Sequence, residues 1–222
     1  MAKIKDPVSG FTHLVGAGLS IAGLVLLIVS IAFNSNEIGW DMVTCVIFGT
    51  SLILLYTFSS LYHLLNLKEK GTRVFRKFDH IMIYIFIAST YTPICLGPLR
   101  GPWGWSIFGV VWGIAILGTI LTAVWLDAPR WLTTGLYVIM GWTVVIAVYP
   151  MIKTFSAIDR GMEGLAWLLA GGIFYTIGAL IYGFKWPKLT NKYVGFHEIF
   201  HIFVMFGSFC QYWFIFKYLI FM

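Results

Sequence analysis

"THLVGAGLSIAGLVLLIVSIAF", residues 12–33, is 22 residues with no charged side chain. A run of about 20 apolar residues is what an α-helix needs to cross a hydrocarbon core of roughly 30 Å. Working outward, comparable runs recur at Trp40 to Leu65, Asp79 to Leu96, Trp105 to Trp125, Trp131 to Tyr149, Gly164 to Phe184 and His197 to Tyr218. The runs are continuous rather than alternating, which selects helices over membrane strands. The expectation is an all-α membrane protein, a single seven-transmembrane helix bundle over residues 1–222.

Composition agrees. The chain is 59% hydrophobic, 18% aromatic and only 11% charged, with a mean hydropathy of +0.87. No soluble domain of this size needs so much apolar surface. The first span is too long for a signal-peptide core and has no convincing small-residue cleavage site, so it is expected to be retained. Short connections leave no room for a soluble domain.

Lys and Arg divide unevenly between the two sides. One side holds Lys3, Lys5, the loop Asn66 to Phe78 with Lys68, Lys70, Arg73, Arg76 and Lys77, then Arg130, Lys185, Lys188 and Lys192; the other holds Arg100, Lys153, Arg160 and Lys217. The bias places the N-terminus in the cytoplasm and the C-terminus outside. The net charge of +6 is then a topology signal, not a nucleic-acid footprint. Cys45, Cys95 and Cys210 form no metal or disulfide pattern and read as small buried residues. Gly109, Gly113 and Gly118, with Gly171 and Gly172, suit close helix approach in lipid.

The 5 histidines, His13, His63, His80, His197 and His201, all fall at the cytoplasmic ends of their spans in this topology. His197 and His201 are four apart, which stacks them on one helix face about 5 to 6 Å apart, within reach of a single tetrahedral metal. "GFHEIFHIFV" (195–204) also contains H-E-x-x-H, the metalloprotease pattern. That pattern needs a third ligand downstream, and residues 202–222 contain no Asp, Glu or His. A third ligand must come from earlier in the chain. "TFSSLYHLL" supplies His63, with Ser59 one turn before it, and "KFDHIMIY" supplies Asp79 and His80. Asp79 is a carboxylate at a depth where one usually has a partner or a task; capping the N-terminus of span three is the plain alternative.

"SSLYH", "FDHIMIYIFIASTYTP" and "HEIFHIFV" together resemble the motifs of the bacterial hemolysin III proteins, within the progestin and adipoQ receptor (PAQR) superfamily that includes the adiponectin receptors. "DPVSGFTHLVGAG" resembles the family's amino-terminal acidic and T-H segment, with Asp6 and Ser9 where many relatives carry Glu and Asn. The resemblance covers essentially all seven spans. It implies Zn2+ held by His63, His197 and His201, with Asp79 contacting a water on the metal and Ser59 near it. Glu198, turned about 100° from His197 around the helix, is then no zincin-type base and faces a neighbouring helix or the headgroups, or orients a ligand. His13 and His80 are interfacial or supporting histidines, since the tetrahedral count is met without them.

Three functions follow from this pattern. The first is an intramembrane hydrolase of a membrane lipid, in the manner of the ceramide hydrolysis associated with adiponectin-receptor relatives, with Asp79 and Ser59 as its catalytic residues. The second is a non-enzymatic protein of membrane homeostasis whose zinc staples helices. The third, suggested by the family name alone, is a pore-forming hemolysin, although no row of polar residues marks a conduction path. A retinal-type receptor is excluded by the lack of a lysine in the middle of span seven.

Overall fold

The computed structural model describes residues 4–34, 38–189 and 194–220; Lys3 and Lys192 of the charge count lie outside them. The described residues form helices and no strand: α1 (Pro7–Asn34), α2 (Ile38–Leu64), α3 (Glu69–Leu96), α4 (Pro102–Val124), α5 (Arg130–Trp142), a 3-10 segment (Thr143–Ala147), α6 (Val148–Ser156), α7 (Gly161–Phe184) and α8 (Phe196–Phe214), which ends in a π-turn at Ile215–Leu219. α5, the 3-10 segment and α6 together make one span, so that 7 helices are long and apolar enough to cross a membrane. Helices are what lipid permits, because each backbone N–H and C=O finds its partner inside its own segment.

Two spans depart from the expected outline. The stretch "KEKGTRVFRKF" (68–78), expected as a loop, is helical from Glu69. It is too charged to score as membrane, but its charges spread around a continuous helix, and Arg76 and Arg73 pair with Asp127 at 2.9 and 3.5 Å while Lys77 Nζ caps Ala123 O at 2.6 Å. Those contacts tie the extension of α3 to the end of α4. Asp79 therefore sits ten residues inside α3 and does not cap its N-terminus. The fifth span, expected as one helix, breaks at Trp142. The break is supplied with partners by Tyr91 on α3. Its hydroxyl donates toward Gly141 O at 2.5 Å and Met140 O at 3.0 Å and accepts from Val144 N at 3.1 Å.

α3 runs through the middle of the bundle, and 67% of its membrane-spanning window is buried. α2 packs on one side of it and α4 on the other; α1 lies against α2, α7 against α8, and α1 meets α8 to close the ring. The small residues are used selectively. A Cβ on Gly118 would lie 2.3 Å from the Tyr84 ring and one on Gly171 would lie 2.7 Å from Gln211, whereas Gly109, Gly113 and Gly172 have nothing within 4 Å. The expected close approach thus holds at Gly118 and Gly171; the other three face outward or into open space. The three cysteines are buried and unpaired.

Because α5 and α6 touch their neighbours only in part, they leave a cavity of about 590 Å³ against α3, α7 and α8. It runs along α3 from Asp79 to Ile94, about 22 Å at 1.5 Å per residue. Most of its wall is apolar, from Ile83 to Met151 and Leu165. Its polar end carries Ser59, Asp79, His80, His197 and His201.

Candidate metal centre

α2 and α8 bring three imidazoles together. His63 lies in the last turn of α2, and His197 and His201 occupy the first two turns of α8. One ring nitrogen from each lies within 4.8 Å of the other two. His63 Nε2 and His197 Nε2 are 3.2 Å apart, and the ring centroids of His63 and His201 are 5.1 Å apart. His63 and His201 are 3% and 2% exposed; His197 is half-buried. The i, i+4 spacing read from the sequence therefore does place both histidines of α8 on the face that meets α2.

The group fits a metal ion. Four ligands at 2.0 to 2.1 Å around tetrahedral zinc stand about 3.3 Å from one another, close to the separation already present between His63 and His197. His201 Nδ1 is buried with no hydrogen-bond partner, a condition that costs about 1–3 kcal/mol in a dry interior. Among the described residues this is the group of three or more His, Cys, Asp or Glu side chains so arranged, and its all-nitrogen donor set suits zinc, copper, iron or nickel better than calcium or magnesium.

The expected neighbours fall around the cluster in different ways. Ser59 is 2% exposed and, like Asp79, it lines the cavity onto which His197 and His201 open. Inside α3, Asp79 has no helix end to cap, so a carboxylate kept at this depth has the polar end of the cavity as its setting. His13 stacks on His201 with ring centroids 3.7 Å apart and planes 10° from parallel, and it packs edge-on against Tyr56 at 4.9 Å. It packs on a member of the cluster and is outside the three-nitrogen group, as is His80, which lines the cavity. Glu198 turns away from the cluster toward α1, accepting from Ser9 Oγ at 2.7 Å and from Gly195 N at 2.8 Å. It caps its own helix and ties α8 to α1, in agreement with its exclusion as a metalloprotease base.

One contact has no counterpart in the spacing of residues. Asp6, just ahead of α1, places Oδ2 at 3.1 Å from His63 Nδ1. The two residues are 57 apart in the chain, and the only sign in the sequence is the acidic position of the "DPVSGFTH" segment.

Comparison with known proteins identifies the family. Residues 1–212 match the family described as Haemolysin-III related. The chain is 36% identical over 206 residues to Hemolysin-3 of Bacillus cereus, covering 92% of this chain and 88% of that one. It is 37% identical over 210 residues to the Hemolysin-3 homolog of Bacillus subtilis, covering 94% and 92%. A more distant likeness, 27% identity over 228 residues, links it to the adiponectin receptor protein of Drosophila melanogaster, covering 91% of this chain and 48% of that protein. With its seven apolar helices, the chain is a multi-pass protein of the bacterial cell membrane and belongs to the haemolysin-III related family, kin to the adiponectin receptors.

Proposed function

We propose that the protein is a zinc-dependent hydrolase of a membrane lipid amide, with His63, His197 and His201 as metal ligands and Asp79 and Ser59 as catalytic residues. The observation that carries this reading is the junction of two features: the three-imidazole group lies at the polar end of an apolar cavity of about 590 Å³. That volume falls within the roughly 300–1,000 Å³ of small-molecule sites, and a cleft about 22 Å long takes an acyl chain while its amide stays at the histidine layer.

His63, His197 and His201 would hold the ion through ring nitrogens, a three-histidine donor set of the kind found in catalytic zinc sites. A zinc ion bound there would supply Lewis-acid polarisation of the amide oxygen and make water more acidic. Asp79 accepts a proton from the attacking water and returns it to the leaving nitrogen, so that amide and water become carboxylic acid and amine. The Ser59 hydroxyl donates to the oxygen on which charge develops. The apolar wall holds the chain and excludes bulk water. With the N-terminus in the cytoplasm, the reaction takes place at the headgroup boundary of the inner leaflet.

A second reading rests on the same cluster. α2 and α8 are joined by His63 with His197 and His201 and by Tyr56 Oη donating to Ser208 Oγ at 2.9 Å, so a metal ion there would staple the two helices without any reaction. Purified protein in lipid nanodiscs separates the two: release of free fatty acid from ceramides or N-acyl lipids, followed by mass spectrometry, supports the hydrolase. Intact ceramides, N-acyl lipids and phospholipid esters in the presence of bound zinc would leave the staple.

A further inference from the structure

The contact between Asp6 and His63 is made twice. Asp6 N donates to His63 O at 3.0 Å, while its carboxylate oxygen lies 3.1 Å from His63 Nδ1, placed to accept a hydrogen bond from an Nδ1–H. Asp6 is itself fixed: its carbonyl accepts from Gly10 N at 3.0 Å, and Lys5 Nζ stands 3.8 Å from its carboxylate and 3.7 Å over the Tyr62 ring. The segment that follows is pinned at two more points, Ser60 Oγ donating to Gly10 O at 3.0 Å and Ser9 Oγ to Glu198 at 2.7 Å. It thus crosses from the end of α2 to the start of α8 over the histidine layer.

A carboxylate that holds the proton on Nδ1 leaves Nε2 of the same ring as a lone-pair donor. In His63 that Nε2 is the atom facing His197. Without the carboxylate the ring is free to carry its proton on Nε2, where it would point an N–H into the group instead of a lone pair, and to rotate. Resting on the metal reading above, we propose that Asp6 is a positioning residue of the metal centre, fixing the tautomer and orientation of His63 and thereby setting the affinity for the ion. The side chain of Asp6 is 41% exposed, so truncating it opens no hole in the core.

The test is a titration of metal-free protein with Zn2+ against a chromophoric chelator, for the wild type, Asp6→Glu, Asp6→Asn and Asp6→Ala, alongside visible spectra of the Co2+-loaded proteins. Loss of such a supporting partner typically weakens metal binding about 10- to 100-fold. Asp6→Ala is expected in that range, Asp6→Asn between it and the wild type because the amide still accepts a hydrogen bond without charge, and Asp6→Glu near the wild type. Co2+ bands of the Ala variant are expected to shift and broaden, with the melting temperature of the metal-free protein unchanged. Equal affinities and identical spectra in all four proteins overturn the proposal and leave the metal site standing. A wild-type protein that binds neither Zn2+ nor Co2+ overturns both.

Discussion

Replacing Asp79 with Asn separates chemistry from structure in this protein. Asn is isosteric, stays neutral and cannot accept a proton, and the change falls inside α3, where no helix end depends on the carboxylate. Asp79 is outside the three-nitrogen group, so the variant retains the metal. General-base catalysis is worth about 10²- to 10⁴-fold, equivalent to about 2.7–5.4 kcal/mol of barrier at 1.36 kcal/mol per tenfold. Asp79→Asn is therefore expected to lower kcat for lipid-amide hydrolysis by that factor, with KM within about threefold because the apolar wall of the cavity is untouched. The assay is steady-state release of fatty acid in nanodiscs, with zinc content measured on the same samples. Unchanged turnover refutes the assignment of Asp79. Zinc lost together with turnover also refutes it, because the carboxylate would then be holding the ion rather than moving a proton.

Other expectations concern the scaffold. Tyr91→Phe removes the partner of Val144 N and of the Gly141 and Met140 carbonyls at the break in the fifth span; an unpaired buried group costs about 1–3 kcal/mol, and thermal unfolding in detergent should move to lower temperature accordingly. Gly118→Leu should destabilise by about 1–3 kcal/mol through overpacking, since even a Cβ there meets Tyr84 at 2.3 Å, whereas Gly113→Leu, with nothing within 4 Å, should unfold like the wild type. A Ser9→Ala variant loses its hydrogen bond to Glu198, and faster proteolysis of the amino-terminal segment is the measurement that reports it.

Much of this architecture was legible in the sequence, and what was not has identifiable causes. Seven apolar runs announce seven spans because lipid thickness acts on each segment separately, without reference to its neighbours. The pairing of His197 with His201 is local, set by helix geometry. Its convergence with His63 required the additional statement that the ends of spans two and seven share one side of the membrane. The start of α3 was hidden because hydropathy locates where a helix turns apolar, not where it begins, and the charged stretch "KEKGTRVFRKF" is already helical from Glu69. The break at Thr143–Ala147 carries no Gly or Pro of its own, but Pro150 in the following turn has no N–H for the Ile146 carbonyl and crowds it; the Tyr91 hydroxyl, 53 residues from Val144, completes the break, and that part has no local signal. Contacts such as Ser9 with Glu198, 189 residues apart, leave no periodic trace. The glycines sort by which helix face meets a neighbour, and spacing alone cannot separate Gly113 from Gly118.

The central claim is that imidazoles from α2 and α8 share one metal ion, and elemental analysis of purified protein tests it most directly. Wild type is expected to carry about one zinc per chain, and His63→Ala and His201→Ala far less, since each leaves two of three protein ligands. A wild type free of metal after loading with zinc, or a His63→Ala variant with zinc undiminished, would contradict the account.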